Sequence, residues 1–226
     1  VMLEDVRGLD YDDPEWDLLM DELTVKEMNS LIARAGYQTT EIKSINKVRT
    51  VEADGPVAIT NNFTEESTIG FPTEVTLSNT WNRELAYRFG QSMGKMADEM
   101  NISGWYGPAM NMHRAAFGGR NFEYYSEDPF IAGVMASDTV NGALEYGVYP
   151  MLKHFAFNDQ EANSGWQLCT WVDEQTTREI YLKPFEMCVK NGKYCALMAA
   201  NCQLGYMPAQ ACAPLLKDIL RNEWGF

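Results

Sequence analysis

Short apolar runs alternate with longer amphipathic stretches along this chain, and that alternation restricts its fold more than any other feature. The runs at 47–52, 102–106, 149–153 and 194–199 read as strands. Repeated strand–helix units close onto a mainly parallel sheet, because parallel neighbours need a crossover that a helix supplies. The helices are legible too. Asp13 and Pro14 open one that carries Trp16, Leu19, Met20 and Leu23, and Thr24 with Glu27 forms a capping box for a second, which Gly36 stops. From Asn82, apolar residues at Leu85, Phe89, Met93, Met96 and Met100 mark a long helix. Asp128 and Pro129 start another that ends near Gly147. Two more are expected at 173–191, with a break at Pro184 and a stop at Gly192, and at 215–223, while 61–70 is a polar surface loop. With no linker or repeat, the simplest account is one α/β domain: leading helices over 1–46 and βα units over 47–226.

Composition removes several classes of partner. Eighteen basic against 32 acidic side chains give a formal charge of −14, which repels nucleic-acid phosphates and anionic lipid. No stretch approaches the ~20 consecutive apolar residues of a bilayer span, and the N-terminus has no signal-peptide pattern. The chain begins at Val1, so a longer parent is expected. The five cysteines, at 169, 188, 195, 202 and 212, form no CxxC pair and are odd in number. They read as reduced thiols, which favours a soluble cytoplasmic setting over a secreted one. With His113 and His154 the sole imidazoles, neither a metal nor a cofactor is expected.

In a parallel α/β fold, loops at the carboxyl ends of the strands form the site. Here those positions hold Asp54, Arg120, Lys153 and His154, the last three inside the Gly-, aromatic- and charge-rich stretch from Phe117 to Glu161 and Asp54 on a separate segment. Each has two readings. Asp54 can simply cap the turn at Gly55 and Pro56, or it can accept from a ligand. Arg120, flanked by glycines, can pair structurally with Glu123 or reach a ligand. Lys153, at the end of an apolar strand, needs a carboxylate or a ligand to offset desolvation. Glu123, Glu127, Asp128, Asp159 and Glu161 could supply the paired carboxylates of glycoside hydrolysis, although Glu127 and Asp128 also fit a helix N-terminus. Trp105, Tyr106, Phe122, Tyr124, Tyr125, Phe155, Phe157 and Trp166 surround these loops, as core rings or as the rim of a sugar site.

Four long motifs carry a resemblance: GGRNFEYYSEDP (118–129), MLKHFAFNDQE (151–161), REIYLKPFE (178–186) and LLKDILRNEWGF (215–226). Together with the weaker ADGP (53–56), FPTEVTLSNTWNRELAYRFG (71–90) and YGPAMNMHR (106–114), they resemble, in order, the catalytic barrel of glycoside hydrolase family 3, β-glucosidase-like branch. The resemblance runs from about Trp16 to Phe226. It implies a (β/α)8 TIM-type barrel, incomplete in this chain, in which Asp54, Arg120, Lys153 and His154 contact the hydroxyls of a sugar. The parent would hydrolyse terminal β-linked sugars by a two-step retaining mechanism, with a β-glucoside or related oligosaccharide as substrate.

The same resemblance leaves no catalytic residue in this chain: the nucleophilic aspartate is expected beyond Phe226 and the acid/base in an absent second domain. The expectation is therefore an inactive fragment whose open barrel edge is covered by the rest of the parent or by a second copy. Two departures stand out. Val57, Ala58 and Ile59 replace the usual residues after Pro56, and Ala199, Ala200, Asn201 and Cys202 stand where a pocket ring is usual. These admit a rival, a non-catalytic sugar-binding barrel. A second rival is a self-contained hydrolase using Asp159 and Glu161.

Overall fold

Helix starts are set by the side chains that cap them. In a computed structural model that describes residues 1–164, 168–191 and 195–226, α1 (Glu15–Asp21) leads to α2 (Val25–Ala33). The expected capping box is present: Thr24 Oγ1 accepts from the Glu27 N–H at 3.2 Å, and the Glu27 carboxylate accepts from the Thr24 N–H at 3.0 Å. The chain then forms β1 (Gln38–Thr39), antiparallel to the first half of β2 (Thr50–Asp54). Val6, Leu19, Ile42 and Ile45 make a small core here, with Trp16, Leu23 and Leu31 packed on it. The residues of these elements up to Glu52 belong to the first of two units, Val1–Glu52; the second, Ala53–Phe226, begins within β2.

The second unit is a layered α/β structure. After a short α3 (Glu74–Ser78), α4 (Arg83–Glu99) starts where Asn82 accepts from the Leu85 N–H at 3.0 Å. It leads into β3 (Gly104–Tyr106). The next helix, α5 (Pro129–Leu144), is capped by Asp128, which accepts from the Ile131 N–H at 2.8 Å, and it leads into β4 (Tyr149–Phe155). Strand order runs β2, β3, β4 and then Ala196–Ala199, with β3 and the 196–199 strand both parallel to β4. Between β4 and that last strand lie β5 (Cys169–Thr170), α6 (Glu174–Thr176) and α7 (Lys183–Asn191), so the strand is β6. A two-strand hairpin, β7 (Gln203–Leu204) and β8 (Met207–Pro208), pairs with β5 in a separate small sheet. The last helix, Pro214–Glu223, has wide π-type turns.

Several boundaries differ from expectation. β4 runs on to Phe155, so Lys153 and His154 lie within the strand and not in the loop after it. The irregularity in the 173–191 helix falls at Thr177–Tyr181, where Leu182 N–H bonds back five residues to the Thr177 carbonyl at 2.9 Å. Pro184 instead sits in the first turn of α7, where its missing N–H is no loss. The short α3, β1 and the small sheet were not foreseen, because elements of two to five residues leave no periodic signal. The expected strand start at Tyr194 and stop at Gly192, like Trp166, lie outside the described residues.

Packing of α4 also departs from its apolar stripe. Phe89 and Met93 are buried as expected, but Leu85 is 42% exposed, and the seam against α5 is made by Ala86, Gly90, Gly94 and Ala97. Small residues let two backbones approach. A Cβ added at Gly90 would stand 1.9 Å from the Thr139 carbonyl oxygen, and one at Gly142 would stand 2.1 Å from that of Tyr87. At one end of the crossing, Arg83 forks onto the Asp138 carboxylate at 2.7 and 3.0 Å. Gly90→Ala should therefore force the helices apart and destabilise the fold by about 1–3 kcal/mol. The expected readout is a lower urea midpoint with an unchanged m-value; an unchanged midpoint would contradict the close crossing.

Candidate functional site

A lysine with its side chain only 2% exposed sits in the middle of β4. A buried ammonium is unfavourable unless it is paired and hydrogen-bonded. Lys153 Nζ donates to Asp54 Oδ1 at 2.6 Å and stands 4.0 Å from Glu123 Oε2. Asp54 ends β2, and its Oδ1 also accepts from the Gly55 N–H at 2.8 Å, so it caps the turn as expected while pairing with Lys153. Glu123, itself buried, lies in a 3-10 turn, Asn121–Glu123, and accepts from Arg120 Nε.

From Arg120 the polar contacts continue. Its Nη1 stands 3.9 Å from Glu161 Oε1, which accepts from Asn158 Nδ2 at 2.9 Å. Asn158 Nδ2 also donates to the Tyr124 hydroxyl at 3.0 Å, and that hydroxyl lies 3.3 Å from His154 Nδ1. The four expected residues are thus joined in one network, from Asp54 through Lys153, Glu123, Arg120, Glu161, Asn158 and Tyr124 to His154. Three of its members reach solvent: the Asp54 side chain is 49% exposed, that of Glu161 35% and that of Arg120 31%.

Backbone geometry holds these groups in place. Asn111 clamps His154, its Nδ2 donating to the His154 carbonyl at 2.9 Å and its Oδ1 accepting from the His154 N–H at 2.8 Å. The Lys153 carbonyl accepts from Met110 N–H at 2.9 Å. Gly119 has φ +92°, and a Cβ there would stand 3.0 Å from Glu161 Cγ, so only glycine lets the Arg120 loop pass this close to Glu161. Burial, reinforced by the Arg120 and Lys153 cations, lowers the His154 imidazole to about 2, and His154 is a neutral donor–acceptor at ordinary pH. Burial likewise raises the Tyr124 phenol.

The remaining carboxylates divide by location. Asp159 Oδ1 accepts from Met112 N–H at 3.3 Å, whereas Glu161 faces Asn158 and Arg120, so the two serve different partners. Burial, against the Met112 hydrogen bond and Arg114, raises Asp159 to about 6. Asp128 caps α5 and the exposed Glu127 stands apart from the network. Of the rings, Trp105, Tyr124, Tyr125 and Phe155 are core, while Phe122 is 53% exposed. The replaced loop after Pro56 turns inward: Ile59 is fully buried, and its N–H donates to Thr68 Oγ1 at 2.9 Å. Ala200 and Cys202 pack against the end of β4, with Ala200 N–H bonding the Phe155 carbonyl at 2.6 Å.

Asn111, Asn158 and the Tyr124 hydroxyl were not singled out by sequence as site groups. Asn158 falls inside the charged segment that was, but its amide counts only because Tyr124 and Glu161 meet it in space. Among the described residues, no three His, Cys, Asp or Glu side chains are placed to hold a metal, and no helix is long and apolar enough to cross a membrane.

Residues 28–226 match the family described as Glycosyl hydrolase family 3 N terminal domain. A beta-glucosidase of Rhizobium radiobacter is 35% identical over 217 residues, 93% of this chain and 26% of the relative. Beta-glucosidase A of Butyrivibrio fibrisolvens is 41% identical over 162 residues, 70% of this chain and 19% of the relative. The chain therefore spans about a quarter or less of the length of these relatives. The structure of beta-glucosidase 3B from Thermotoga neapolitana in complex with glucose superposes with a TM-score of 0.85 at 37% identity, over 93% of this chain and 32% of that one.

Two titrations follow from these environments. Nitrogen NMR shifts of His154 should stay those of neutral imidazole from about pH 4 to 8, given a value near 2; a protonation step near the ordinary histidine value would refute the buried placement. Asp159 binds its proton more tightly folded than unfolded, since its value rises from 3.8 to about 6. Its contribution to stability is complete below about pH 3.8 and is lost as pH rises through about 6. Asp159→Asn should remove that loss, so between pH 4 and 7 the variant gains on the natural chain by on the order of 2 kcal/mol in urea unfolding. A difference that does not change with pH would argue against it.

Proposed function

Since the chain belongs to glycosyl hydrolase family 3, we propose that it is the sugar-recognising part of a β-glucosidase-like retaining hydrolase, built on an incomplete (β/α)8 barrel. The observation that carries this reading is the continuous network from Asp54 to His154, closed inside the protein and open to solvent at Asp54, Arg120 and Glu161. A sugar ring presents several hydroxyls in one plane, each both donor and acceptor. Recognising it takes fixed acceptors and donors on rigid strand ends, which Asp54 supplies as carboxylate, Lys153 and Arg120 as cations, and His154 as neutral imidazole. The glucose complex of the Thermotoga neapolitana relative supports glucose as the first ligand to try.

In the parent, recognition and reaction are divided. An aspartate and a proton-donating acid outside these 226 residues form and hydrolyse the glycosyl intermediate. The groups described here hold the sugar, and hydroxyl bonds that tighten as positive charge develops on the ring lower the barrier. None of Asp54, Glu123 and Glu161 is free to act as nucleophile, because each is tied to a lysine, arginine or asparagine within the network. As described, β6 is the edge of its sheet; the remainder of the parent, or a second copy, covers it.

Calorimetry tests this reading directly. Glucose should bind the 226-residue chain, and Lys153→Met, which keeps the volume and removes the ammonium, should weaken binding by about tenfold to a hundredfold. The chain alone should not hydrolyse an aryl β-glucoside. Turnover by the isolated chain would overturn the division of labour, and glucose binding unaffected at Lys153 would overturn the assigned contacts.

A further inference from the structure

A neutral imidazole carries its proton on one of two nitrogens, and the neighbours of His154 choose between them. The choice begins at Glu161. A carboxylate only accepts, so the Asn158 atom 2.9 Å from Glu161 Oε1 is the amide nitrogen. The same nitrogen donates to the Tyr124 oxygen at 3.0 Å, which uses both hydrogens of that amide. The Tyr124 hydroxyl has now accepted one bond and still has its own proton to place. Tyr124 is 1% exposed, and among the described residues its hydroxyl has one other partner, His154 Nδ1 at 3.3 Å.

Both rings are held where they meet. The Tyr124 carbonyl accepts from His113 Nε2 at 2.8 Å, and Asn111 grips the His154 peptide at its N–H and its carbonyl. The two planes cross at 76° with centroids 6.2 Å apart. If Nδ1 carried the proton, the Tyr124 oxygen would receive two donors and its own buried hydrogen would meet no acceptor among the described residues. A buried donor left unmade is costly. The opposite arrangement satisfies every group: Tyr124 donates to a bare Nδ1, and the proton of the imidazole sits on Nε2. That second nitrogen has no hydrogen-bond partner among the described residues, and His154 keeps 8% exposure.

We infer that Tyr124 is a positioning residue, fixing His154 as the Nε2–H tautomer so that the imidazole meets a sugar hydroxyl as a hydrogen-bond donor. The ligand rests on the proposed sugar-binding reading, while the tautomer stands on the hydrogen bonds alone. Lys153, Arg120 and His154 are then all donors. A hydroxyl that accepts from one of them keeps its own proton for a carboxylate, and Asp54 and Glu161 are the two of the network that reach solvent. In this tautomer His154 turns no bare nitrogen to the sugar, so it takes no proton from it, and a donor-only group such as an ammonium in place of that hydroxyl is refused.

Nitrogen NMR of the histidine-labelled natural chain, without sugar, tests the tautomer first. Nδ1 should resonate as a bare ring nitrogen and Nε2 as a protonated one, with the Nδ1–H form below about a tenth of the molecules. Tyr124→Phe keeps the ring and removes the hydroxyl; it should raise the Nδ1–H share about threefold to tenfold and weaken calorimetric glucose binding by a similar factor. Asn158→Asp offers the hydroxyl an acceptor where it now has a donor, so it should turn His154 to the Nδ1–H form, and it decides the matter if Tyr124→Phe fails to fold. An Nδ1–H form in the natural chain overturns the inference without any variant. An unmoved tautomer in Tyr124→Phe, even with weaker glucose binding, reduces Tyr124 to a structural residue and overturns its positioning role. A shifted tautomer with unchanged glucose affinity overturns the donation to sugar. Absence of glucose binding by a natural chain that shows the Nε2–H form overturns the sugar-binding reading and leaves the tautomer standing.

Discussion

The buried ammonium of Lys153 is the constraint on which the centre of this structure depends. Its main partner, Asp54, is 99 residues away in sequence, so the ends of β2 and the middle of β4 must be brought to one place before either charge is buried. Glu123 has to reach the same point from the turn between β3 and α5. Buried ion pairs rarely exceed a well-packed apolar core in net stability. A network of this size in the middle of a sheet is better accounted for by what its solvent-reaching ends can hold than by what it adds to folding.

Charge balance within the network is managed by burial as well as by pairing. Lys153 and Arg120 face the carboxylates of Asp54, Glu123 and Glu161. Glu74, at the start of α3, is fully buried and neither of its carboxyl oxygens has a hydrogen-bond partner. Burial, with the nearby Glu123 charge adding to it, pushes that carboxyl well above the usual range, so Glu74 joins its neighbours as a neutral acid and not as a further negative charge. His154 is neutral for the matching reason, burial next to two cations. The ionised groups are the ones that have partners.

The scaffold beneath the network is tight at its helix crossing and open at its edge. The α4–α5 crossing relies on glycine and alanine, so its two backbones come close enough that one added methyl collides with a carbonyl. Asn111 does for the His154 peptide what a neighbouring strand would do, supplying both a donor and an acceptor. The small β5–β7–β8 sheet, in contrast, buries little, and the Trp171 indole beside it meets Tyr206 edge to face with both rings exposed.

Much of this was legible in the residues. The helix starts at Thr24 and Asp128, the βα alternation, and the family motifs were read correctly because each depends on neighbours in sequence, within a turn or a strand. Lys153 announced its need for a carboxylate, since a lysine in an apolar strand has few other solutions. Sequence by itself therefore determined the class of fold, the family and four of the eight residues that the network joins. It could not choose the partners. Whether Lys153 met Asp54 or a ligand, whether Asp159 and Glu161 formed a pair, and where the buried face of α4 lay were decided only in three dimensions. Asn111, Asn158, Glu74 and Tyr124 are ordinary residues in one dimension, and they acquire their roles from groups that the fold carries close to them.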